Sequence, residues 1–162
     1  MINLLYCFDK NYNVQALVSI LSFIEKNPMN INLFIIHKEP ETFHKYAEKI
    51  KKYKNVNLTI TKFEKKRIIP FDVGNSHFSE ATYYRLFVDK YIPNKITEYV
   101  YLDADIICLS DPYDYLKSNI DILLNSSFSF SARTELIREN NKDKFLQLGL
   151  SSDKYFNAGV LI

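Results

Sequence analysis

The chain opens with a short apolar run, Met1–Cys7, that ends at Asp9, the pattern of a buried strand. The next segment sets Val14, Leu17, Val18, Leu21 and Ile24 on one helical face, and Asn27-Pro28 ends it. Ile31–Ile36 is a second continuous apolar strand, after which Pro40 opens a helix with the stripe Phe43, Tyr46, Ala47, Ile50 and Tyr53. Val56, Leu58 and Ile60 alternate with Asn57, Thr59 and Thr61, which predicts a half-exposed strand. This alternation of strands and helices predicts an α/β fold: a mostly parallel central sheet with helices on both faces.

Residues 62–78 are polar and irregular, with Pro70 and Gly74, and read as a loop. Ser79 can cap a helix carrying Tyr84, Phe87, Val88 and Tyr91, stopped by Pro93-Asn94. Tyr99–Leu102 is another buried strand and runs straight into Asp103-Ala104-Asp105. Phe128 and Phe130 alternate with serines as a further strand, and a polar helix over Asn141–Leu148 ends at Gly149. Tyr155–Ile162 turns apolar again and reads as a core strand, closing one domain over residues 1–162. Chain ends are usually polar and frayed, so this apolar end is read as belonging to a longer protein, in preference to a docked terminal strand.

Composition narrows the function without choosing it. A net charge of +2 is too small to argue for nucleic acid. The local runs Lys51, Lys52, Lys54 and Lys62, Lys65, Lys66, Arg67, the second broken by Glu64, read as a solvated face. Cys7 and Cys108 lie far apart in apolar segments, which fits buried thiols in a reducing compartment. No basic region precedes the first apolar stretch, and no run approaches the roughly 18 residues of a membrane helix, so the expectation is a cytoplasmic protein.

The chemistry has to come from side chains. Glycine occurs only at Gly74, Gly149 and Gly159, so there is no glycine-rich phosphate loop and no dinucleotide fingerprint. His37, His44 and His77 show no metal spacing and read as surface or packing residues. Asp103 and Asp105 are the strongest local signal. In an extended chain residues two apart point the same way, and these leave the carboxyl end of a buried strand, where open α/β sheets bind ligands. Two hard anionic oxygens suit Mn²⁺ or Mg²⁺, with diphosphate oxygens and water completing the shell; a turn or helix cap is the competing reading.

After the first strand, Asp9 and Asn11 can read a pyrimidine edge while Tyr12 stacks on the base, against plain helix capping by Asn11 or Asn13. Arg85 lies beside the apolar stripe of its helix and can either snorkel or reach a diphosphate. Asn157-Ala158-Gly159 sits inside an apolar strand, where the amide needs a partner and the glycine marks a close approach.

Asp9-Lys10-Asn11-Tyr12, Thr82-Tyr83-Tyr84-Arg85-Leu86, Tyr101-Leu102-Asp103-Ala104-Asp105 and Phe156-Asn157-Ala158-Gly159-Val160 occur in an order and spacing that resembles family 8 glycosyltransferases over essentially the whole chain. These are the bacterial lipopolysaccharide galactosyl- and glucosyltransferases and their glycogenin-like relatives. The resemblance implies a GT-A fold, a UDP-hexose donor (glucose or galactose), Mn²⁺ dependence, retention of anomeric configuration, and a glycan or lipopolysaccharide-core acceptor reached at the inner face of the membrane. It places Asp9, Asn11 and Tyr12 on the uracil, Arg85 on the donor diphosphate or sugar, and Asp103 and Asp105 on the metal. Asp103 and Ala104 fall beside the ribose and sugar, with Asn157 and Ala158 lining the sugar pocket. The family's histidine metal ligand and basic diphosphate contact follow the Asn-Ala-Gly strand and have no counterpart in these residues. The rival readings are a UDP-sugar-binding fragment without activity and a metal-dependent nucleotidyltransferase, whose glycine-rich basic loop after the first strand is missing.

Overall fold

Seven consecutive buried residues make strand β1 (Ile2–Phe8), and the pleat divides them between two layers. Ile2, Leu4, Tyr6 and Phe8 enter one core, Leu5 and Cys7 the other. Fully burying a side chain of this size contributes about 1.5–3 kcal/mol, so β1 is the spine of the molecule. The structure, a computed structural model, describes residues 1–64, 79–134, 142–147, 149 and 155–162.

The other strands are β2 (Ile31–His37), β3 (Val56–Lys62), β4 (Val100–Leu102), β5 (Ala132–Thr134) and β6 (Phe156–Leu161), in the order β3-β2-β1-β4-β6-β5. β1 to β4 are parallel, while β6 runs antiparallel between β4 and β5. Helices α1 (Asn13–Lys26) and α2 (His44–Ile50) pack on the Leu4 face of the sheet. The opposite face is covered by a 3₁₀ segment, Glu80–Lys90, through Ala81 and Tyr84. The chain therefore builds outward from β1 to β3 and then returns to lay β4 on the other side of β1. That reversal opens a crevice at the carboxyl ends of β1 and β4, the switch point at which open α/β sheets bind ligands.

The expected layered, mostly parallel sheet is present, and several local details differ. On α1 the buried face is Ala16, Leu17, Ser19, Ile20, Phe23 and Ile24, whereas Val14 and Val18 are exposed. Ser19 tolerates burial because its hydroxyl meets the Tyr6 hydroxyl at 3.0 Å. Ser79 does cap the segment after it, its Oγ accepting from Ala81 N–H at 3.2 Å, but the turn is 3₁₀ and bends at Phe87 (φ −121°, ψ 19°). Phe128 and Phe130 are exposed and outside any strand, and β5 begins only at Ala132. Helix α3 (Tyr113–Leu124) has no counterpart in the sequence expectations. Leu116 is its one fully buried residue, with Tyr113 and Ile120 half-buried beside it on the core. Helix α4 (Lys142–Gln147) lies within the expected 141–148, and Gly149 beyond it takes φ 71°, a left-handed value that glycine adopts without strain. β6 is paired on both edges yet its residues are exposed or half-buried, so it is not the core strand its composition suggests. Of the expected loop at 62–78, Lys62 ends β3 and Phe63 is buried against Tyr84, and residues 65–78 lie outside the described residues.

Candidate functional site

β4 is only three residues long, and the chain turns immediately after it. Ile106 N–H reaches Asp103 C=O at 3.4 Å, which makes Asp103-Ala104-Asp105 a turn and not the extended segment assumed from spacing. Both carboxylates nevertheless line one cavity of about 360 Å³ at the switch point.

Asp103 is held on one side by its neighbours. Tyr101, two residues earlier on the same face of β4, donates its hydroxyl proton to Asp103 Oδ1 at 2.5 Å. Arg85 donates to the same oxygen from Nη2 at 3.1 Å. Burial and the Asp103 charge push the Tyr101 hydroxyl far up, so it stays a proton donor. The other oxygen, Oδ2, lies on the side where β6 passes: a Cβ added to Gly159 would stand 3.3 Å from it and 3.0 Å from Asn157 Oδ1. This is the close approach that the glycine in the strand pattern signalled.

Arg85 joins three separate elements. Its Nε donates to Thr82 C=O at 2.9 Å, its Nη1 to Ala158 C=O at 2.7 Å, and its guanidinium lies 4.1 Å over the Tyr101 ring. With 14% of its side chain accessible, it neither snorkels away nor stands isolated. Asp103 N–H donates to Gly159 C=O at 2.8 Å, so β6 is tied to the acidic turn through the backbone too. The Asn157 amide finds the partner its position demanded, its Oδ1 accepting from Gly159 N–H at 2.8 Å.

At the other rim, Asp9 caps the 3₁₀ turn Lys10–Tyr12, with Oδ1 accepting from Asn11 N–H at 2.9 Å. Its Oδ2 accepts from the Ser79 hydroxyl in a short contact. Tyr12 lines the cavity and is 37% exposed. The cavity thus gathers Tyr12, Arg85, Asp103, Ala104, Asp105, Asn157 and Ala158, while Asp9 and Asn11 stay outside its wall. Asp9 reaches the wall through Ser79 and through its carbonyl, which accepts from Tyr12 N–H at 3.0 Å.

Sequence reasoning missed Ser79 and Tyr101 as holders of Asp9 and Asp103, and Cys7 and Phe8 as cavity floor. The spacing of two along β4 was the available signal for Tyr101. Burial pushes the Cys7 thiol far up, so it serves as packing. A larger cavity, about 640 Å³, opens toward Phe128, Phe130 and Phe156 but holds neither aspartate.

A switch-point cavity in an open α/β sheet, with an acidic turn leaving the strand beside β1 and an antiparallel strand closing it, defines a GT-A transferase fold. The chain belongs to glycosyl transferase family 8, whose family model matches residues 3–162. It is 29% identical over 164 residues to a putative glycosyltransferase of Haemophilus influenzae, covering 99% of this chain and 47% of that one. It is 24% identical over 170 residues to a lipopolysaccharide 1,3-galactosyltransferase of Salmonella typhimurium, again covering 99% and 47%. Its fold superposes on the crystal structure of galactosyltransferase LgtC in complex with donor and acceptor sugar analogs, with a TM-score of 0.79, 21% identity, and coverage of 99% and 56%. The chain spans about half the length of the curated relatives it matches.

Proposed function

We propose that this chain binds a UDP-hexose at the β1–β4 switch point and that the protein transfers the hexose, glucose or galactose, to a glycan or lipopolysaccharide-core acceptor with retention of configuration. The observation that carries the reading is the convergence of Tyr12, Arg85, Asp103, Asp105, Asn157 and Ala158 on one cavity, from segments as far apart as the turn after β1 and β6. Tyr12 stacks on the uracil, and Asp9 holds the turn that presents it through its cap on Asn11 N–H and its bond to Ser79. Asn157 and Ala158 line the hexose.

The donor set fits a hard divalent cation, Mn²⁺ or Mg²⁺. Asp103 and Asp105 share the cavity, and Asp103 is braced through Oδ1 so that Oδ2 remains to ligate. Diphosphate oxygens and water are the further ligands that such an ion would take from the donor and solvent. When bound, the ion supplies charge neutralisation for the departing UDP. Arg85 assists from the protein: its guanidinium lines the cavity, and three of its five N–H groups are engaged among the described residues, which leaves two for the donor diphosphate. A membrane-associated acceptor places the enzyme in the cytoplasm at the inner face of the membrane, and among the described residues no helix is long and apolar enough to cross it. A second reading, UDP-sugar binding without transfer by these residues, draws on the two-carboxylate donor set.

Titration calorimetry with UDP, with and without Mn²⁺, tests the site. Asp103→Asn or Asp105→Asn is expected to weaken Mn²⁺-dependent binding by about tenfold or more, because a charged ligand is lost. Metal-independent binding of equal strength in variants and parent would refute the metal site. UDP release from UDP-glucose and UDP-galactose separates transfer from binding alone.

A further inference from the structure

We propose that His37 is a positioning residue that fixes the base-recognition turn Asp9–Tyr12 through a closed ring of hydrogen bonds. The proposal rests on the reading that this turn contacts the uracil.

His37 ends β2 and is fully buried, which for a histidine requires that both ring nitrogens be satisfied. Glu39 N–H donates to Nδ1 at 2.9 Å. Nδ1 is therefore the acceptor nitrogen, and Nε2 carries the proton. That proton is donated to Asn13 Oδ1 at 3.0 Å. With Oδ1 accepting, the Asn13 amide must donate, and it does so to Thr42 Oγ1 at 3.1 Å and Thr42 C=O at 3.2 Å. The Thr42 hydroxyl spends its own proton on Glu39 C=O at 2.7 Å. The circuit runs from Glu39 N–H through His37, Asn13 and Thr42 back to Glu39 C=O with every donor facing an acceptor. Bonds aligned in one direction polarise one another, and breaking any one weakens the rest.

The position of this ring gives it its effect. His37 pairs with Phe8 across β1 and β2, and the Phe8 and His37 rings meet edge-on at 5.0 Å. Phe8 immediately precedes the turn and Asn13 immediately follows it. One buried side chain thus grips both ends of Asp9–Tyr12. The Lys10–Glu39 ion pair at 3.3 Å joins the middle of the turn to the same ring. A turn with only its Asp9 cap could rock about its ends, and Tyr12 with it. Braced, it presents Tyr12 in one orientation, which lowers the ordering cost of binding a base.

Two substitutions separate the brace from ordinary packing. His37→Gln places an amide where Nε2 stood, keeping the bond to Asn13 that reaches the turn and giving up the acceptor for Glu39 N–H. His37→Asn keeps only that acceptor and severs the link to Asn13. Titration calorimetry in Mn²⁺ with two probes, UDP and inorganic pyrophosphate, reads the base end and the phosphate end separately. His37→Asn and Asn13→Ala are expected to weaken UDP at least fivefold while leaving pyrophosphate unchanged, and His37→Gln to restore UDP to within twofold of the parent. If His37→Asn does not fold, Asn13→Ala removes the same link from the side of the turn and carries the same expectation. Parent-like UDP binding by the variants that sever the His37–Asn13 link, with only stability reduced, would overturn the proposal, as would equal losses in His37→Gln and His37→Asn. Tyr12→Ala is the control: parent-like affinity for both probes would overturn the base reading, and the proposal with it.

Discussion

Replacing Arg85 by lysine keeps the charge and removes the planar fork, so it measures what the fork's geometry contributes. Arg85 now donates in three directions, to Thr82 C=O, Ala158 C=O and Asp103 Oδ1, and its plane lies over Tyr101. A lysine ammonium at the end of a flexible stem can serve Asp103 and, at best, one carbonyl poorly. Hydrogen bonds involving a charged group contribute about 1.5–3 kcal/mol each, and less where water can replace the lost donor. Ala158 is exposed and its carbonyl can rehydrate, whereas the Thr82 carbonyl bond is partly buried. Losing both gives an expected destabilisation of about 2–3 kcal/mol, weighted toward the lower end of that range. Urea unfolding at an unchanged m-value of about 1–3 kcal/mol/M would then show a midpoint lower by roughly 1 M. A midpoint within about 0.3 M of the parent would refute the claim that this fork joins the 3₁₀ segment, the acidic turn and β6.

Gly159→Ala should crowd the site, because its Cβ would stand 3.0 Å from Asn157 Oδ1, which cannot retreat without leaving Gly159 N–H. Overpacking of this kind costs about 1–3 kcal/mol, and a displaced Asp103 should lower Mn²⁺-dependent UDP affinity about tenfold; unchanged affinity in calorimetry would remove the close approach from the argument. His37 predicts a pH effect of defined sign. Burial holds its pKa below the ordinary 6.5, against the opposing pull of the facing Asp9, Glu39 and Glu41. The neutral ring thus contributes stability that is complete above that value and declines as pH falls below it. Urea midpoints between pH 7.5 and 5 should drop more steeply for the parent than for His37→Gln, and parallel slopes would contradict the neutral, ring-closing histidine.

How much of this was legible depends on where burial is symmetric. β1, β2 and β4 are covered on both faces, so their apolar runs declared them directly. α1 was recognised as a helix but rotated, since Val14 and Val18 are apolar and exposed while Asn13 and Ser19 are polar and buried. Those two polar residues are paid for by His37 and Tyr6, partners that no local pattern contains. α3 was passed over although Tyr113, Leu116, Ile120 and Leu123 recur at helical spacing and Tyr113 and Ile120 pack against the core beside Leu116. At the site, Asp103 and Asp105 were readable from their place after a buried strand. The bracing of Asp103 by Arg85 was not, because it depends on tertiary pairing between residues 18 apart, whereas Tyr101 left its spacing of two as a signal.

The antiparallel insertion of β6 also sets when the site can come into being. Ala158 C=O receives Arg85 across 73 positions of chain, and Gly159 C=O receives the Asp103 amide. The β1–β2–β3 block closes with short crossovers and can form early, but the strand that completes the cavity arrives from far along the chain and must slip between β4 and β5. Closing such a loop costs entropy before any contact repays it. On the ribosome the strands that carry the core therefore precede the one that makes the pocket. Before β6 arrives, the Asp9–Tyr12 turn and the acidic turn are already linked through Ser79 and Arg85, and the last strand adds the wall that encloses the cavity.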